Sequence, residues 1–300
     1  IQFDYALFNN LQHDHLDYHN TMEEYFECKA LLFQKLKPNG TAIINSDDSW
    51  GIKLIERLTA EGKKVLTVGE QSSSDSQILS KKLNSVLVMH KNKRYNLRTP
   101  LPGMHNLHNL TMSSCAAHEL GVPYEKIEPY MSDFTGISGR FELFYLENRV
   151  TVVVDYAHTP DALEIAINTA ITNGANHVIT VFGFAGNRDT SKRKAMLENV
   201  TRLSNSSILT VTELFGSSID KLYEDYVMIQ KECQVEDSTS IIMDRTIAIQ
   251  TAIENAQPGD WVLLLGKGHE QYKENYALNT KSDQETVLYL QKNKLSISDH

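Results

Sequence analysis

The second half of the chain contains four short runs that are apolar over their whole length and rich in β-branched residues. Stretches of helical character, such as DALEIAINTAI and DRTIAIQTAIENA, separate them. Strands that are apolar on both faces need cover on both faces, and helices between successive strands are the usual cover of a parallel sheet. We therefore predict a parallel α/β sheet here. The four runs are TVVVD (151–155), HVITVFG (177–183), SILTVTE (207–213) and DWVLLLG (260–266).

The first half of the chain also alternates between strands and helices. Its pattern predicts strands with helices between them, then an antiparallel hairpin and a further helix that stops at Gly121. Pro38-Asn39-Gly40 predicts a turn. The predicted elements are strand 1–8, helix 21–36, strand 41–45, a helix near 50–62, strand 63–69, hairpin strands 85–90 and 93–99, and a helix between Gly103 and Gly121.

The stretch 133–140 (DFTGISGR) holds two glycines in a short span and is the predicted linker between two domains. We therefore predict α/β domains at 1–139 and 140–300. The first has a mostly parallel sheet with helices, and the second is Rossmann-like.

Composition excludes several classes of function. Acidic residues outnumber basic ones, 38 against 29, so the chain has no general attraction for nucleic acid or an anionic membrane. No run of about 18 apolar residues predicts a membrane span. Three distant cysteines without a CxxC pair indicate a reduced, cytoplasmic protein.

Glycines and charged residues follow three of the four apolar runs, at 155–158 (DYAH), 183–189 (GFAGNRD) and 266–270 (GKGHE). Ligands of open parallel sheets bind beyond the carboxyl ends of the strands. Glycines also form ordinary turns and charges also face solvent, but their coincidence at three strand ends favours a ligand site. GKGHE is not a phosphate loop, because that motif needs GxxxxGK followed by Ser or Thr, a pattern absent from these 300 residues.

The stretch 13–29 (HDHLDYHNTMEEYFECK) concentrates histidines and acids before a helix. Neither HExxH nor a paired Cys/His pattern is present, so the spacing does not indicate zinc. Histidine is an unusual ligand for Mg²⁺, which prefers oxygen. The residues alone leave open a polar helix entry and a metal role, and Lys29 by itself is typical of a solvated lysine.

Several motifs together resemble those of the Mur ligases, the ATP-dependent amide ligases of peptidoglycan precursor synthesis, and among them the MurE type. The resemblance covers nearly the whole chain. It implies the family's central domain, incomplete at its N-terminus, followed by its C-terminal domain. The matching segments are DHLDYHNTMEEYFECKALLF (14–33), GRFE (139–142), VDYAHTPDALE (154–164), FGFAGNRDTSKR (182–193) and GKGHE (266–270).

The resemblance implies a role for each of ten residues. Lys29 would be carbamylated, which turns a cation into an oxygen ligand, and would hold Mg²⁺ together with His15. The catalytic candidates are therefore Lys29, His15 and Arg140. ATP would meet Asn106, Asn109, Arg140, Asp155 and His158. The incoming amino acid would meet Arg188, Gly266 and Glu270.

The reaction that the resemblance implies joins a free amino acid to UDP-N-acetylmuramoyl-L-Ala-D-Glu through an acyl phosphate made from ATP. We expect a cytoplasmic monomer with no nucleic-acid partner. The family's phosphate loop precedes the lysine motif and is not among these residues, so we expect it before Ile1 and expect these residues alone not to hydrolyse ATP.

The loop after the third apolar run of the second half departs from the family pattern. It reads VTELFGSSIDK (211–221), with Thr212, Glu213 and Phe215 where the family has Asp, Asn and Arg. The identity of the amino acid therefore stays open. Two alternatives to the implied ligase also stay open: a divergent relative that uses another amino acid, and a non-catalytic Mur-like protein.

Overall fold

The computed structural model describes residues 1–14, 18–82 and 84–295, which form two compact units that divide between Thr135 and Gly136. The sequence placed the boundary between 139 and 140. Residues 136–139 belong with the second unit because Gly139 lies against Gly268: a Cβ on Gly139 would approach the Gly268 Cα to 2.7 Å. None of the helices in the described ranges is both long and apolar enough to span a membrane.

The first unit is built on a six-stranded sheet in the order β1-β2-β3-β4-β5-β6. Strands β1 to β4 run parallel, and β4, β5 and β6 pair antiparallel. The strands are β1 (Phe3–Phe8), β2 (Leu36–Asn45), β3 (Lys64–Gly69), β4 (Ser76–Lys82), β5 (Ser85–His90) and β6 (Lys93–Arg98), and the helices are α1 (Met22–Ala30), α2 (Ser49–Ala60), α3 (Met104–Glu119) and α4 (Tyr124–Ser132).

Two local predictions in this unit were wrong. The helix expected over 21–36 ends at Ala30 and continues as the 3-10 turn Leu31–Lys35. The expected turn at Pro38-Asn39-Gly40 lies inside β2, where the pairing with β1 jumps from Phe3↔Leu36 to Tyr5↔Thr41. Proline cannot donate to a ladder and is tolerated at such bulges, so a turn-like tripeptide fits within a strand.

The end of α3 and the β5–β6 hairpin confirm two other predictions. At Gly121 (φ +92°) the chain turns left-handed, and its N–H donates to the His118 carbonyl at 2.9 Å. The hairpin turns on Lys91 and Asn92, both at positive φ. Strand β4 and helix α4 were missed: β4 is polar along most of its length, and α4 carries Pro129 inside it.

The second unit confirms the predicted parallel sheet. Its strand order is β11-β10-β9-β12-β8-β7, and only β7, at the edge, is antiparallel. The strands are β7 (Glu142–Tyr145), β8 (Thr151–Asp155), β9 (Val178–Phe182), β10 (Ser206–Leu209), β11 (Thr239–Ile241) and β12 (Trp261–Leu265), and the helices are α5 (Pro160–Thr172), α6 (Arg193–Leu203), α7 (Ile219–Cys233), α8 (Arg245–Asn255) and α9 (Asp283–Leu295).

Both faces of this sheet are buried, as the continuous apolar runs require. Val153 and Leu263 join the core with α5, α6 and α7, whereas Val152 and Val262 join the core with α8 and α9. The alternation follows from the two-residue period of a strand. Thr159 caps α5 with its side chain, and Pro160 is the first helical residue.

A fully buried ion pair connects α8 and α9. The Arg245 guanidinium donates to both carboxylate oxygens of Asp283 at 2.7 Å, and to the Leu265 carbonyl at 3.1 Å. Both side chains have 0% exposure. The Tyr272 hydroxyl also donates to Asp283, at 2.8 Å. Burial opposes the charge on Arg245, but the Asp283 carboxylate raises the pKa of Arg245 overall.

We expect Asp283→Asn to destabilise the second unit by about 3–5 kcal/mol, because it leaves the Arg245 charge buried without its counter-ion. Urea unfolding in a Trp50→Phe background isolates the fluorescence of Trp261, the other of the two tryptophans. The matched control is Glu164→Gln, which removes an exposed 3.2 Å ion pair with Arg202 and should cost less than about 1 kcal/mol. Equal small losses in both variants would contradict the role assigned to the pair.

Candidate functional site

The carboxyl ends of β8, β9, β10 and β12 meet at one edge of the second sheet, since these strands are parallel neighbours. Each end leads into a loop that carries polar residues. Tyr156, directly after β8, lies among residues of its own loop, of the loop after β12 and of the turn before β7. Its ring contacts the Arg140 guanidinium, the His158 and His269 imidazoles, and its hydroxyl contacts Glu270.

Asp155 holds the turn that presents Arg140. One carboxylate oxygen accepts from the Phe141 N–H at 2.7 Å, and the other accepts from the Ala157 N–H at 2.8 Å. Phe141 has a φ of +48°, a left-handed conformation that a bulky residue adopts only when its surroundings hold it. Arg140 is exposed, and its Cζ lies 4.6 Å from the centre of the Tyr156 ring. Asp155 therefore fixes the direction of Arg140 through the backbone.

His158 and Glu270 lie on two other sides of Tyr156. The His158 Nδ1 is 2.8 Å from the Tyr156 carbonyl oxygen, and the two rings meet edge to face at 4.8 Å. The Tyr156 hydroxyl donates to Glu270 Oε1 at 3.2 Å. A cation at the face of one tyrosine and a carboxylate at its hydroxyl thus stand close together.

Lys267 is buried beneath Glu270, with 1% of its surface exposed. Its ammonium donates to the Thr212 carbonyl at 2.9 Å and lies 4.0 Å from Glu270 Oε2. Burial, with a smaller contribution from the Arg245 charge, lowers the pKa of Lys267. Gly266 (φ +103°) also lies against Thr212. These contacts connect the loop after β12 to the loop after β10.

Arg188 extends from the loop after β9 and lies over Phe215 of the loop after β10. Its Cζ is 4.5 Å from the Phe215 ring centre, and the Lys273 ammonium is 5.6 Å from the same ring. Lys273 also pairs with Glu213. The two loops pack without space for side chains, since a Cβ on Gly186 would lie 2.0 Å from the Leu214 carbonyl oxygen.

In the first unit, Lys29 and His19 both face Tyr25. The Lys29 Nζ lies 5.2 Å from the Tyr25 ring centre, and the His19 ring stacks on it at 5.0 Å. His15, the predicted metal partner of Lys29, lies outside the described residues. Across the described parts of the chain, no group of three or more His, Cys, Asp or Glu could hold a metal ion. These residues by themselves do not fit a complete Mg²⁺ site.

Asn106 and Asn109 lie near the start of α3. Asn106 donates to the Pro102 carbonyl at 2.7 Å, and Asn109 accepts from the side chain of Asn9, directly after β1, at 3.0 Å. His108 lies between them in the sequence. Burial lowers the pKa of His108, and its Nε2 has no hydrogen-bond partner among the described residues. Both asparagine amides are thus engaged in contacts within the first unit.

Within the second unit the structure brings together Arg140, Asp155, His158, Gly266 and Glu270, and joins Arg188 to them through the loop after β10. Lys29, Asn106 and Asn109 belong to the first unit. Sequence reasoning did not assign roles to Tyr156, Lys267 or Lys273. A tyrosine between two assigned residues and a lysine between two glycines were available as signals, whereas nothing local to Lys273 points to Glu213.

The arrangement in the second unit suits two ligand charges at once. Arg140 and Arg188 offer planar guanidinium groups, which pair with phosphate or carboxylate oxygens. Glu270 offers a carboxylate that would pair with an ammonium group. The net charge of the chain is −9, so these two arginines act as local rather than general attractors for anions.

Comparison with known proteins identifies both halves of the chain. Residues 1–117 match the Mur ligase middle domain, and residues 139–268 match the Mur ligase, glutamate ligase domain. UDP-N-acetylmuramoyl-L-alanyl-D-glutamate--2,6-diaminopimelate ligase of Nostoc sp. is 39% identical over 279 residues, which is 90% of this chain and 55% of the relative. The enzyme with the same description from Fusobacterium nucleatum is 36% identical, over 91% of this chain and 56% of that protein. The chain thus spans about half the length of these curated relatives.

Solved structures give the same result. A UDP-N-acetylmuramoyl-L-alanyl-D-glutamate--2,6-diaminopimelate ligase superposes with a TM-score of 0.61 at 30% identity, over 99% of this chain and 61% of that chain. MurF from Acinetobacter baumannii superposes with a TM-score of 0.73 at 16% identity, over 97% of this chain and 60% of that one, which shows a shared fold. Both domain matches, the motifs at the strand ends and these relatives agree: the chain belongs to the Mur ligase family.

Proposed function

We propose that this protein is an ATP-dependent amide ligase of the MurE type, which adds the third amino acid to UDP-N-acetylmuramoyl-L-Ala-D-Glu. The observation that carries the proposal is the meeting of Arg140 and Glu270 at Tyr156, at the carboxyl edge of the second sheet. The relatives that are 34–39% identical over about 90% of the chain carry the name of such a ligase. Lys29, Arg140, Asp155 and Arg188 all match the motifs of the family, and this supports a catalytic over a non-catalytic role.

The proposed reaction has two steps. First, an oxygen of the dipeptide carboxylate attacks the γ-phosphorus of ATP, the bond to the bridging oxygen breaks and ADP leaves. Second, the amine nitrogen of the amino acid forms a bond to the acyl carbon, the carbon–oxygen bond to phosphate breaks, and orthophosphate leaves as the nitrogen loses a proton. Catalysis of such phosphoryl chemistry rests mainly on positioned charge.

The residues of the second unit supply that positioned charge in the proposal. Arg140 pairs with phosphate oxygens, while Asp155 holds its turn and His158 lies beside the ribose. Arg188 binds the carboxylate of the incoming amino acid, and Glu270 its distal ammonium, with Gly266 leaving room beside Thr212. Charge-assisted hydrogen bonds of this kind are roughly twice as strong as neutral ones.

The first unit would supply the nucleotide and magnesium contacts. Mur ligases use ATP and Mg²⁺, and a MurF ligase from Thermotoga maritima that shares the fold was solved in complex with ADP. Asn106 and Asn109 would bind the nucleotide, and carbamylated Lys29 would hold Mg²⁺ with His15. Because GxxxxGK[ST] is absent from these 300 residues, we propose that they do not turn over ATP by themselves.

The direct test is phosphate release by the full-length protein, rather than by these 300 residues alone, with ATP, Mg²⁺ and UDP-N-acetylmuramoyl-L-Ala-D-Glu. We expect release only when a suitable amino acid is added, and a product whose mass is that of the dipeptide substrate plus one amino-acid residue. The panel should include diaminopimelate, lysine, ornithine and norleucine, which lacks the distal amine. Binding of the nucleotide without release for any amino acid would favour the non-catalytic alternative.

Glu270→Gln should raise the KM for the amino acid by about tenfold or more, since a hydrogen bond to a charged group contributes about 1.5–3 kcal/mol. The KM for ATP should change much less. The variant should also lose its preference for lysine over norleucine, because only lysine has a distal ammonium for Glu270 to bind. Glu274→Gln, four residues further along the same segment, is the matched control. Equal increases in both KM values would argue against Glu270 at the amine.

Lys29→Ala should abolish ligation, because it removes the group that would be carbamylated. Short carboxylic acids should restore part of the activity by occupying the place of the carbamate. Lys35→Ala, an exposed lysine in the following 3-10 turn, should retain full activity. Unchanged turnover in the Lys29 variant would contradict the proposed role of Lys29 as a carbamylated Mg²⁺ ligand.

A further inference from the structure

Gln284, the second residue of α9, contacts two separate loops of the second unit. Its Nε2 donates to the Gly268 carbonyl at 3.0 Å and to Glu142 Oε2 at 3.2 Å. Ser138 Oγ is more distant at 3.4 Å, and since the amide nitrogen has two hydrogens, the two shorter contacts use both. Gln284 lies beyond residues 139–268, the part that matches the family's glutamate ligase domain.

The Glu142 carboxylate connects Gln284 to the turn that presents Arg140. The oxygen that accepts from Gln284 also accepts from the Gly139 N–H at 2.7 Å and from the Ser138 hydroxyl at 3.1 Å. Asp155 holds the other side of the same turn through the Phe141 N–H. Arg140 thus lies between two residues whose backbone amides are bound by carboxylates.

The Gly268 carbonyl connects Gln284 to the loop that carries Glu270. Gly268 (φ +53°) is enclosed, because a Cβ on it would lie 2.7 Å from the Gly139 carbonyl oxygen and 2.8 Å from the Tyr156 Cβ. The two loops therefore touch backbone to backbone. Glycine has no side chain to restrict its backbone, so these loops need a restraint from elsewhere. The side-chain amide of Gln284 supplies one by binding both loops at once.

The helix that carries Gln284 is itself fixed. Its neighbour Asp283 is fully buried in the ion pair with Arg245. A glutamine next to such an anchor loses less freedom when it forms hydrogen bonds, which makes its contacts effective for positioning.

We propose that Gln284 is a positioning residue that couples the Arg140 turn to the Glu270 loop. This rests on the proposed function, in which those two segments hold the phosphate and the amino acid. Loss of the amide frees both loops, so the two substrates should be affected together although Gln284 touches neither.

Gln284→Ala in the full-length protein should raise the KM for ATP and the KM for the amino acid, each by about tenfold, the effect of losing about 1.4 kcal/mol of hydrogen bonding. Gln284→Lys, whose ammonium can donate to the same carbonyl and carboxylate, should restore part of the loss. The matched control is Gln250→Ala, which removes an exposed amide that donates to Glu254 on α8. A purely structural role would lower the unfolding temperature and leave both KM values unchanged below it.

A double-mutant cycle with Glu142→Ala tests the connection. If both residues act through the same turn, the two variants combined should lower kcat/KM for ATP little more than either one alone. Fully additive effects, or normal KM values in Gln284→Ala, would overturn the proposal.

Hydrogen exchange separates this proposal from the proposed function, because it needs no activity. In Gln284→Ala, amides of 136–142 and 266–271 should exchange about tenfold faster or more, together, with no change in Gln250→Ala. Faster exchange in a full-length protein without ligase activity would keep the coupling and reject the ligase. Unchanged exchange in an active ligase would reject the coupling alone.

Discussion

The buried ion pair of Arg245 and Asp283 anchors the long segment that carries the site. Residues 266–282 between β12 and α9 form neither helix nor strand, yet they carry Gly266, Lys267 and Glu270. The pair holds the start of α9 at one end of this segment, and Arg245 binds the Leu265 carbonyl at the other. Tyr272 ties the middle of the segment to Asp283. A loop of this length is expected to be costly to order, and buried charge-assisted bonds offset that cost.

Glycines at the carboxyl edge let the loops approach closely enough for their polar groups to meet. A Cβ at Gly183 would lie 1.9 Å from the Thr210 carbonyl oxygen, and a Cβ at Gly139 would lie 2.1 Å from the His269 nitrogen. Close backbone contact thus requires glycine at both positions. Tyr156 lies against Gly268 and gives Arg140 a ring face and Glu270 a hydroxyl.

The loop after β10 shows where this chain differs from the pattern of its family. Phe215 lies between Arg188 and Lys273 and contacts both cations through its ring, and Glu213 is occupied by Lys273. An aromatic ring flanked by two cations offers no extra guanidinium to a second substrate carboxylate.

The sequence by itself determined the parallel sheet of the second unit, because strands that are apolar on both faces have few other solutions, and it placed the motifs at the strand ends. It also determined the cap of α5 and the stop of α3, which depend on neighbouring residues. It did not determine β4, β7, β11 or the bulge at Pro38, whose pairing comes from distant strands. Gln284, Lys267 and Lys273 acquire these partners only in the tertiary structure. Gln284 binds groups 16 and 142 residues away, Lys267 one 55 residues away and Lys273 one 60 residues away, and no local pattern encodes such contacts.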